Sequence, residues 1–242
     1  MIKDRNIAAD AAISISKILG AGMAGAGRIL YVAPATSASY TYWSGKVPAG
    51  DLFTSLSSAY DQTVTGRNDV ILLSPDTHTL TAMLDVSKNR VHFIGVDFRG
   101  GYGMGARAKV SLGVTTAATD IATMQNTGVG NTFTSIKFMN SNTVAEGIYC
   151  VAEGGEYTVY SHCEFYKDTD LDVTGAAEVL NNGDSVQWLN CTIGSSANIV
   201  ADNVIRPCML LTATLSGKKC RDNIMTDCVL LRKAGGTPRT SY

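Results

Sequence analysis

Short runs of alternating apolar and polar residues dominate the chain after residue 80, and they repeat. Five segments align: HFIGVDF (92–98), FTSIKFM (133–139), YSHCEFY (160–166), WLNCTIG (188–194) and MTDCVLL (225–231). Each holds an apolar residue, one intervening residue and a second apolar residue. The first column is Val96, Ile136, Cys163, Cys191 and Cys228; the second is Phe98, Phe138, Phe165, Ile193 and Leu230. Members of the first column are 40, 27, 28 and 37 residues apart. Residues i and i+2 of a strand share a face, so both columns point inward as a structural ladder. An uneven period of about 20–50 residues with a constant inward pattern predicts a solenoid of stacked coils. A further strand precedes three of these segments, in GIYCVAEGG, AAEVLNNGD and MLLTATLSGK. Each ends in a glycine turn, at Gly154-Gly155, Gly183 and Gly217.

The ladder decides how the dipeptide His162-Cys163 is read. A histidine beside a cysteine suggests a metal-ligand pair or an activated nucleophile. Here Cys163 lies in an inward column, where a small soft hydrophobe fits. His162 has the opposite parity and aligns with Gly95, Ser135, Asn190 and Asp227, a polar exterior.

Two other regions precede the repeats. Residues 28–80 read as a capping module. RILYVAP is a strand and ATSASYTYWSGKVPAG a turn-rich loop. DLFTSLSSAYDQTV has Asp51 as N-cap and Leu52, Phe53, Leu56, Ala59 and Tyr60 at helical spacing. Val70 to Leu73 is an apolar strand closed by a Ser-Pro-Asp turn. Residues 1–27 read as an arm. Ile7, Ala11, Ile15 and Ile18 fall close to one helical face, which is too thin to fold without a partner. The Gly/Ala run that follows is a hinge. Gly20, Gly22 and Gly25 spell a dinucleotide-binding pattern, but a strand follows where that motif requires a helix. The boundaries are therefore 1–27 (attachment arm), 28–80 (capping module) and 81–242 (solenoid body).

Composition narrows the functions. The net charge of −1 supplies no basic field, so neither nucleic acid nor an anionic membrane is an expected partner. Charged residues are 17% of the chain, against roughly 25% in ordinary soluble domains. With 24 glycines and 5 prolines, this suits tightly turned β structure with some faces not solvated. MIKDRNIAAD lacks the apolar segment of a secretory signal, so reduced thiols are expected. The six cysteines form no CxxC pair, which gives a zinc site little support.

The repeat pattern resembles the right-handed parallel β-helix of the pectate-lyase-like superfamily. The capping module looks like the start of many such proteins, in YVAPATSASY, GKVPAGDLFTSLSSAYDQ and NDVILLSPDTHTL. Their usual D-x-I-x-x-x-P-G-x-Y element is here Asp69, Val70, Ile71, Pro75 and then Asp76, without the Gly and Tyr. The arm, DRNIAADAAISISKI, is similar to short segments of bacteriophage tail-fibre and virion-fibre proteins. The matching residues are Asp4, Ile7, Ala11, Ala12, Ile13, Ser16, Lys17 and Ile18. The expected fold class is all-β: a right-handed parallel β-helix with a short N-terminal arm and a small capping helix.

Candidate chemistry is sparse. Glu156 and Asp184 each precede a ladder cysteine by seven residues, so they are expected to stack about 4.8 Å apart. They are a catalytic carboxylate pair or a charged exterior edge, and the edge reading is preferred. Glu153 and Glu164 lie on neighbouring coils, Glu164 pointing out. Asp168, Asp170 and Asp172 are candidate metal ligands, the only basis for Ca²⁺. Val173 and Val179 stand where an EF-hand loop needs Gly and Glu, so a solvated loop is preferred and no cofactor is expected. Asp76, Thr77 and His78 lack any nucleophile motif, and His78 is read as a turn residue. Tyr40, Tyr42 and Trp43 are read as a contact with another chain, or as a platform for sugar rings.

The resemblances imply a non-enzymatic bacteriophage virion structural protein: a fibre, spike or capsid decoration. Its arm would dock to other virion proteins, and it would associate with itself as a homotrimer. It would be assembled in the host cytoplasm, with host surface glycan as a further contact. The alternative is a tailspike-type depolymerase, a polysaccharide lyase or glycoside hydrolase acting on host surface polysaccharide. A third reading binds glycan without cutting it.

Overall fold

A computed structural model describes residues 27–96, 108–113, 121–140, 149–167, 179–193, 209–211, 224–226 and 228–230. The arm residues Ile7, Ala11, Ile15 and Ile18, together with Phe98, Asp168, Asp170 and Asp172, lie outside these described residues. The chain enters through β1 (Ile29–Val32), α1 (Ala38–Ser44), β2 (Leu52–Phe53) and α2 (Leu56–Asp61). It then winds in coils of three strands each. The first coil is β3 (Asp69–Leu73), β4 (Thr77–Leu80) and β5 (Leu84–Val86). The second is β6 (Val91–Gly95), β7 (Ala108–Leu112) and β8 (Ala122–Asn126). The third is β9 (Thr132–Thr134), β10 (Ile136–Asn140) and β11 (Tyr149–Glu153). The fourth is β12 (Val159–Ser161), β13 (Glu164–Lys167) and β14 (Val179–Asn181). The fifth is β15 (Gln187–Leu189), β16 (Thr192–Ile193) and β17 (Met209–Leu211), followed by β18 (Ile224–Thr226) and β19 (Val229–Leu230).

Each strand pairs in parallel with its equivalent one coil away, giving three sheets. The first sheet holds the opening strand of every coil plus β1 and β2; the second and third hold the middle and closing strands. This is a parallel β-helix, as the repeat pattern predicted. β3 and β4, at the end of the capping module, pair with β6 and β7 and so open the solenoid.

The register sorts the two columns. Lys137 pairs with Glu164, Glu164 with Thr192 and Thr192 with Val229, which puts Ile136, Cys163, Cys191 and Cys228 in one row. Phe138, Phe165, Ile193 and Leu230 form the next row. Upstream the columns are corrected. Ile136 pairs with Ala108 and Phe138 with Val110, not with Val96 and Phe98. The 40-residue offset holds between β6 and β9, where His92 pairs with Thr132. β6 and β7 are separated by residues 96–107, whereas β9 and β10 are separated by Ser135 alone, and Val96 lies half-buried after the end of β6.

A second correction concerns parity. YSHCEFY is not one strand. His162 sits at φ 55°, as do Ser135 (55°) and Asn190 (52°), and each turns the chain from the first sheet to the second. One left-handed residue at the corner reverses the alternation, so Tyr160, Cys163 and Phe165 all face inward while His162 is exposed. The interior therefore holds a column of rings that a single-strand reading hides. Tyr60, Phe93, Phe133, Tyr160 and Trp188 stack with successive centroid distances of 6.1, 4.8, 4.8 and 4.3 Å. Phe138 and Phe165 form a parallel pair at 5.5 Å.

Cys150, Cys163, Cys191 and Cys228 are not in disulfides. Cys163 Sγ lies 3.4 Å from the carbonyl of Phe133, and Cys191 Sγ lies 3.5 Å from that of Tyr160. Cys163→Ser is expected to cost about 1 kcal/mol, because the hydroxyl finds that carbonyl and loses only apolar packing. Urea unfolding measures it; a loss above 3 kcal/mol would show that the hydroxyl stays unpaired.

The N-terminal end is closed by α2, which buries Leu56, Ala59 and Tyr60 over the first coil. Its N-cap is Ser55, whose Oγ accepts from the Ser58 amide, rather than Asp51. Asp51 instead pairs with Arg28 Nε at 2.5 Å, and Leu52 and Phe53 are drawn into a strand beside β1. The expected loop around Tyr40 is also helical: Ser37 caps α1 through the Tyr40 amide.

Candidate functional site

The corner from the third sheet to the first repeats regularly from coil to coil. Segments 87–90, 127–131, 154–158 and 182–186 make this turn in successive coils. Val129 bridges Glu156, and Glu156 bridges Asp184, both in parallel. Main-chain bonds lock the stack: Arg90 N–H donates to Val129 O, Gly130 N–H to Glu156 O and Tyr157 N–H to Asp184 O, at 3.0, 2.8 and 3.0 Å. The turns nest closely because glycine permits it. A Cβ on Gly155 would lie 2.2 Å from Gly128 O, and one on Gly183 2.5 Å from Gly155 O.

Residue by residue, the corner presents two rows. Val129, Glu156 and Asp184 form one, with Glu156 and Asp184 half-buried on adjacent coils. Arg90, Gly130, Tyr157 and Ser185 form the other, all with positive φ (56°, 71°, 55° and 55°). A tyrosine in this conformation is uncommon, and Tyr157 is 64% exposed. A Cβ on Gly130 would meet Arg90 Cγ at 3.6 Å, so the Arg90 stem passes beside that glycine. Two carboxylates, an aromatic ring and a guanidinium thus share one edge. Adjacent coils set the two carboxylate backbones about 4.8 Å apart.

Behind the corner sits a third carboxylate. Glu153 is 1% exposed and faces the interior between Asn126 and Asn181. Tyr160 OH donates to Oε2 at 2.6 Å, Gly155 N–H to Oε1 at 2.6 Å, and Asn126 Nδ2 reaches both oxygens at 3.0 Å. Thr158 Oγ1 donates to Oε1 at 3.4 Å. Burial pushes its pKa up to about 7, although all of these donors favour the carboxylate. Tyr160 is in turn pushed well above the usual tyrosine range by burial and by Glu153.

The remaining candidates are scattered. Glu164 faces out, with Lys137 Nζ 3.6 Å from its Oε2. His78 is not a turn residue: Thr77–Leu80 is a strand whose inward positions are His78 and Leu80. Its Nε2 lies 2.9 Å from Ser74 O, and burial lowers its pKa. Asp76 is held by the Ser74 hydroxyl at 2.6 Å. Tyr42 and Trp43 meet at one cavity, which Tyr40 does not line. Trp43 is buried edge-on to Tyr31 at 5.5 Å, while Tyr42 is 59% exposed under Lys46. Tyr42, Trp43, Ala38, Ser39 and Pro75 line a cavity of about 370 Å³. Among the described residues, no group of three or more His, Cys, Asp or Glu is placed to hold a metal ion.

Tyr157 and Arg90 were not singled out from the sequence. The available signal was their position in the repeat, one residue after the Asn89, Val129, Glu156, Asp184 row. That position demands a left-handed backbone, where glycine or asparagine is the usual choice.

No protein-family model and no curated protein matches the chain. Solved structures do. A pectin methylesterase mutant in complex with a hexasaccharide matches with a TM-score of 0.50 at 11% identity; the match covers 82% of this chain and 66% of that one, just under two thirds. The Erwinia chrysanthemi pectin methylesterase gives 0.46 at 12% identity, covering 86% and 66%. The deglycosylated Aspergillus niger enzyme gives 0.46 at 11%, covering 90% and 91%. The first of these likenesses, together with the three parallel sheets, establishes the right-handed parallel β-helix fold and nothing finer.

Proposed function

We propose that the chain engages a polysaccharide along the corner formed by Arg90, Glu156, Tyr157 and Asp184. The observation that carries this is the pairing of Glu156 with Asp184 beside an exposed tyrosine in a strained conformation. Carboxylates accept hydrogen bonds from sugar hydroxyls, and an aromatic face covers the C–H face of a pyranose. Arg90 adds a charge that suits acidic sugars. That a structural neighbour was solved with a hexasaccharide agrees with this choice, although its identity of 11% carries the fold alone.

In its finer form the proposal is a depolymerase. One carboxylate protonates the departing glycosidic oxygen while the other attacks the sugar carbon or activates water. Incubation with acidic and neutral surface polysaccharides, followed by reducing-end and unsaturated-product assays, tests this. Turnover is expected to fall at least a hundredfold in Glu156→Gln and in Asp184→Asn, within the usual range for a lost general acid or base of about 10²–10⁴. Binding without turnover would leave recognition alone. Neither binding nor turnover would sink the proposal.

The second reading is the non-enzymatic virion protein, which rests on the resemblance of residues 4–18 to fibre segments. In that reading the arm docks to virion proteins and the solenoid associates as a homotrimer. Its signature is recovery of the chain in purified particles without any activity on polysaccharide.

A further inference from the structure

We infer that Glu153 is a positioning residue for the corner, and that its protonation state sets how tightly the 155–158 turn is held. The functional consequence rests on the saccharide reading above; the coupling itself does not. The geometry is a clamp. One carboxylate receives Gly155 N–H on one side of the Glu156-Tyr157 dipeptide and the Thr158 hydroxyl on the other. The half-buried Glu156 and the exposed Tyr157 are thus pinned from inside by a buried group.

The fold does not require a charge at this place. One coil along, Asn181 pairs with Glu153 in register, and its Oδ1 accepts Gly183 N–H at 3.1 Å. A neutral amide therefore holds the equivalent turn. Asn126 occupies the same row one coil earlier. Only the coil that carries Tyr157 uses a carboxylate there.

The groups facing Glu153 come from four elements. β12 supplies Tyr160, whose own titratable neighbours are Cys163 and Cys191. β8 supplies neutral Asn126, the turn supplies Gly155 and Thr158, and β14 supplies neutral Asn181. No charged side chain contributes to its titration, so burial opposes the charge and hydrogen bonds alone support it. The folded pKa of about 7 lies above the ordinary 4.5. A raised carboxyl pKa contributes stability that is full below 4.5 and is lost as pH rises through 7. Local and global effects then run in opposite directions. Acidification stabilises the whole fold, yet exchanges charge-assisted bonds at Gly155 and Thr158 for weaker neutral ones.

Hydrogen exchange of the Gly155 and Tyr157 amides, corrected for intrinsic rates, separates the two when read beside thermal unfolding between pH 5 and 8. Wild type is expected to lose about tenfold protection at these amides on acidification, while its unfolding midpoint rises. Glu153→Gln is expected to flatten the change in protection and to remove this contribution to the midpoint. Tyr160→Phe, which keeps the stacked ring, shifts both transitions to higher pH by removing a donor to the carboxylate. Identical pH profiles in wild type and Glu153→Gln would overturn the inference; so would an unmoved transition in Tyr160→Phe. Acidic-hexasaccharide affinity, measured on the same samples, is expected to follow the protection. If no sample binds saccharide, the functional proposal fails while the exchange profiles still decide the coupling.

Discussion

Phe133→Ala is expected to lower the unfolding free energy by about 3–5 kcal/mol, the range for removing a buried phenylalanine. Phe133 is fully buried at the middle of the ring column. It stacks on Phe93 and Tyr160 at 4.8 Å each and meets Phe138 edge-on at 6.0 Å. Neighbouring rings are fixed by their own strands and cannot close the space. Because each coil contacts only its neighbours, the cavity weakens both interfaces of the third coil. Equilibrium denaturation, followed by Trp188 fluorescence, measures the effect from one end of the same stack. A loss below 1 kcal/mol would mean that the column is not the core.

Asp69→Ala is expected to cost about 2–6 kcal/mol, at roughly 1–3 for each of the two backbone donors left without its acceptor. Asp69 is fully buried at the mouth of the first coil. Its carboxylate accepts from the amides of Arg28 and Val64, at 2.7 Å each, and from Arg67 Nε at 2.6 Å. Burial pushes its pKa up, but Arg67 and the two amides prevail and hold it below the ordinary 3.8. A lowered carboxyl pKa gives stability that is present above 3.8 and is lost as pH falls further. Wild type should therefore lose stability more steeply below pH 3.8 than the variant does. Parallel acid-unfolding curves for the two would contradict this. Asp69 acts below 3.8 and Glu153 between 4.5 and about 7, so the two contributions do not overlap in pH.

The fold was legible because solenoids repeat their interior. Cys163, Cys191 and Cys228 stand in one row, and so do Phe165, Ile193 and Leu230, as the periodicity required. What the periodicity hid has two physical causes. A corner built from a single left-handed residue leaves the apolar-polar text unbroken while reversing its parity. The inward column that includes Tyr160 and Trp188 was therefore not read from the sequence. The long separation of β6 from β7 let β6 align with β9 and concealed that β7 is the neighbour of β10.

The candidate site was half legible. Equal spacing from the cysteines placed Glu156 beside Asp184, and the two do bridge. Tyr157 escaped because an aromatic residue is a poor predictor of a left-handed turn. Glu153 was placed on a neighbouring coil, but its burial was not legible, because four donors distant in the sequence or in the turn hold it inside. Trp43 shows the opposite error, an aromatic that looked available and is buried against Tyr31.

The most direct test of the corner as a saccharide site is a hydrogen-exchange footprint with an acidic hexasaccharide and, separately, a neutral one. Protection is expected in peptides spanning 88–91, 128–131, 155–158 and 183–186, and it should disappear in Tyr157→Ala. Protection confined to α1 or to the outward face of the first sheet, or no protection with either sugar, would contradict the account.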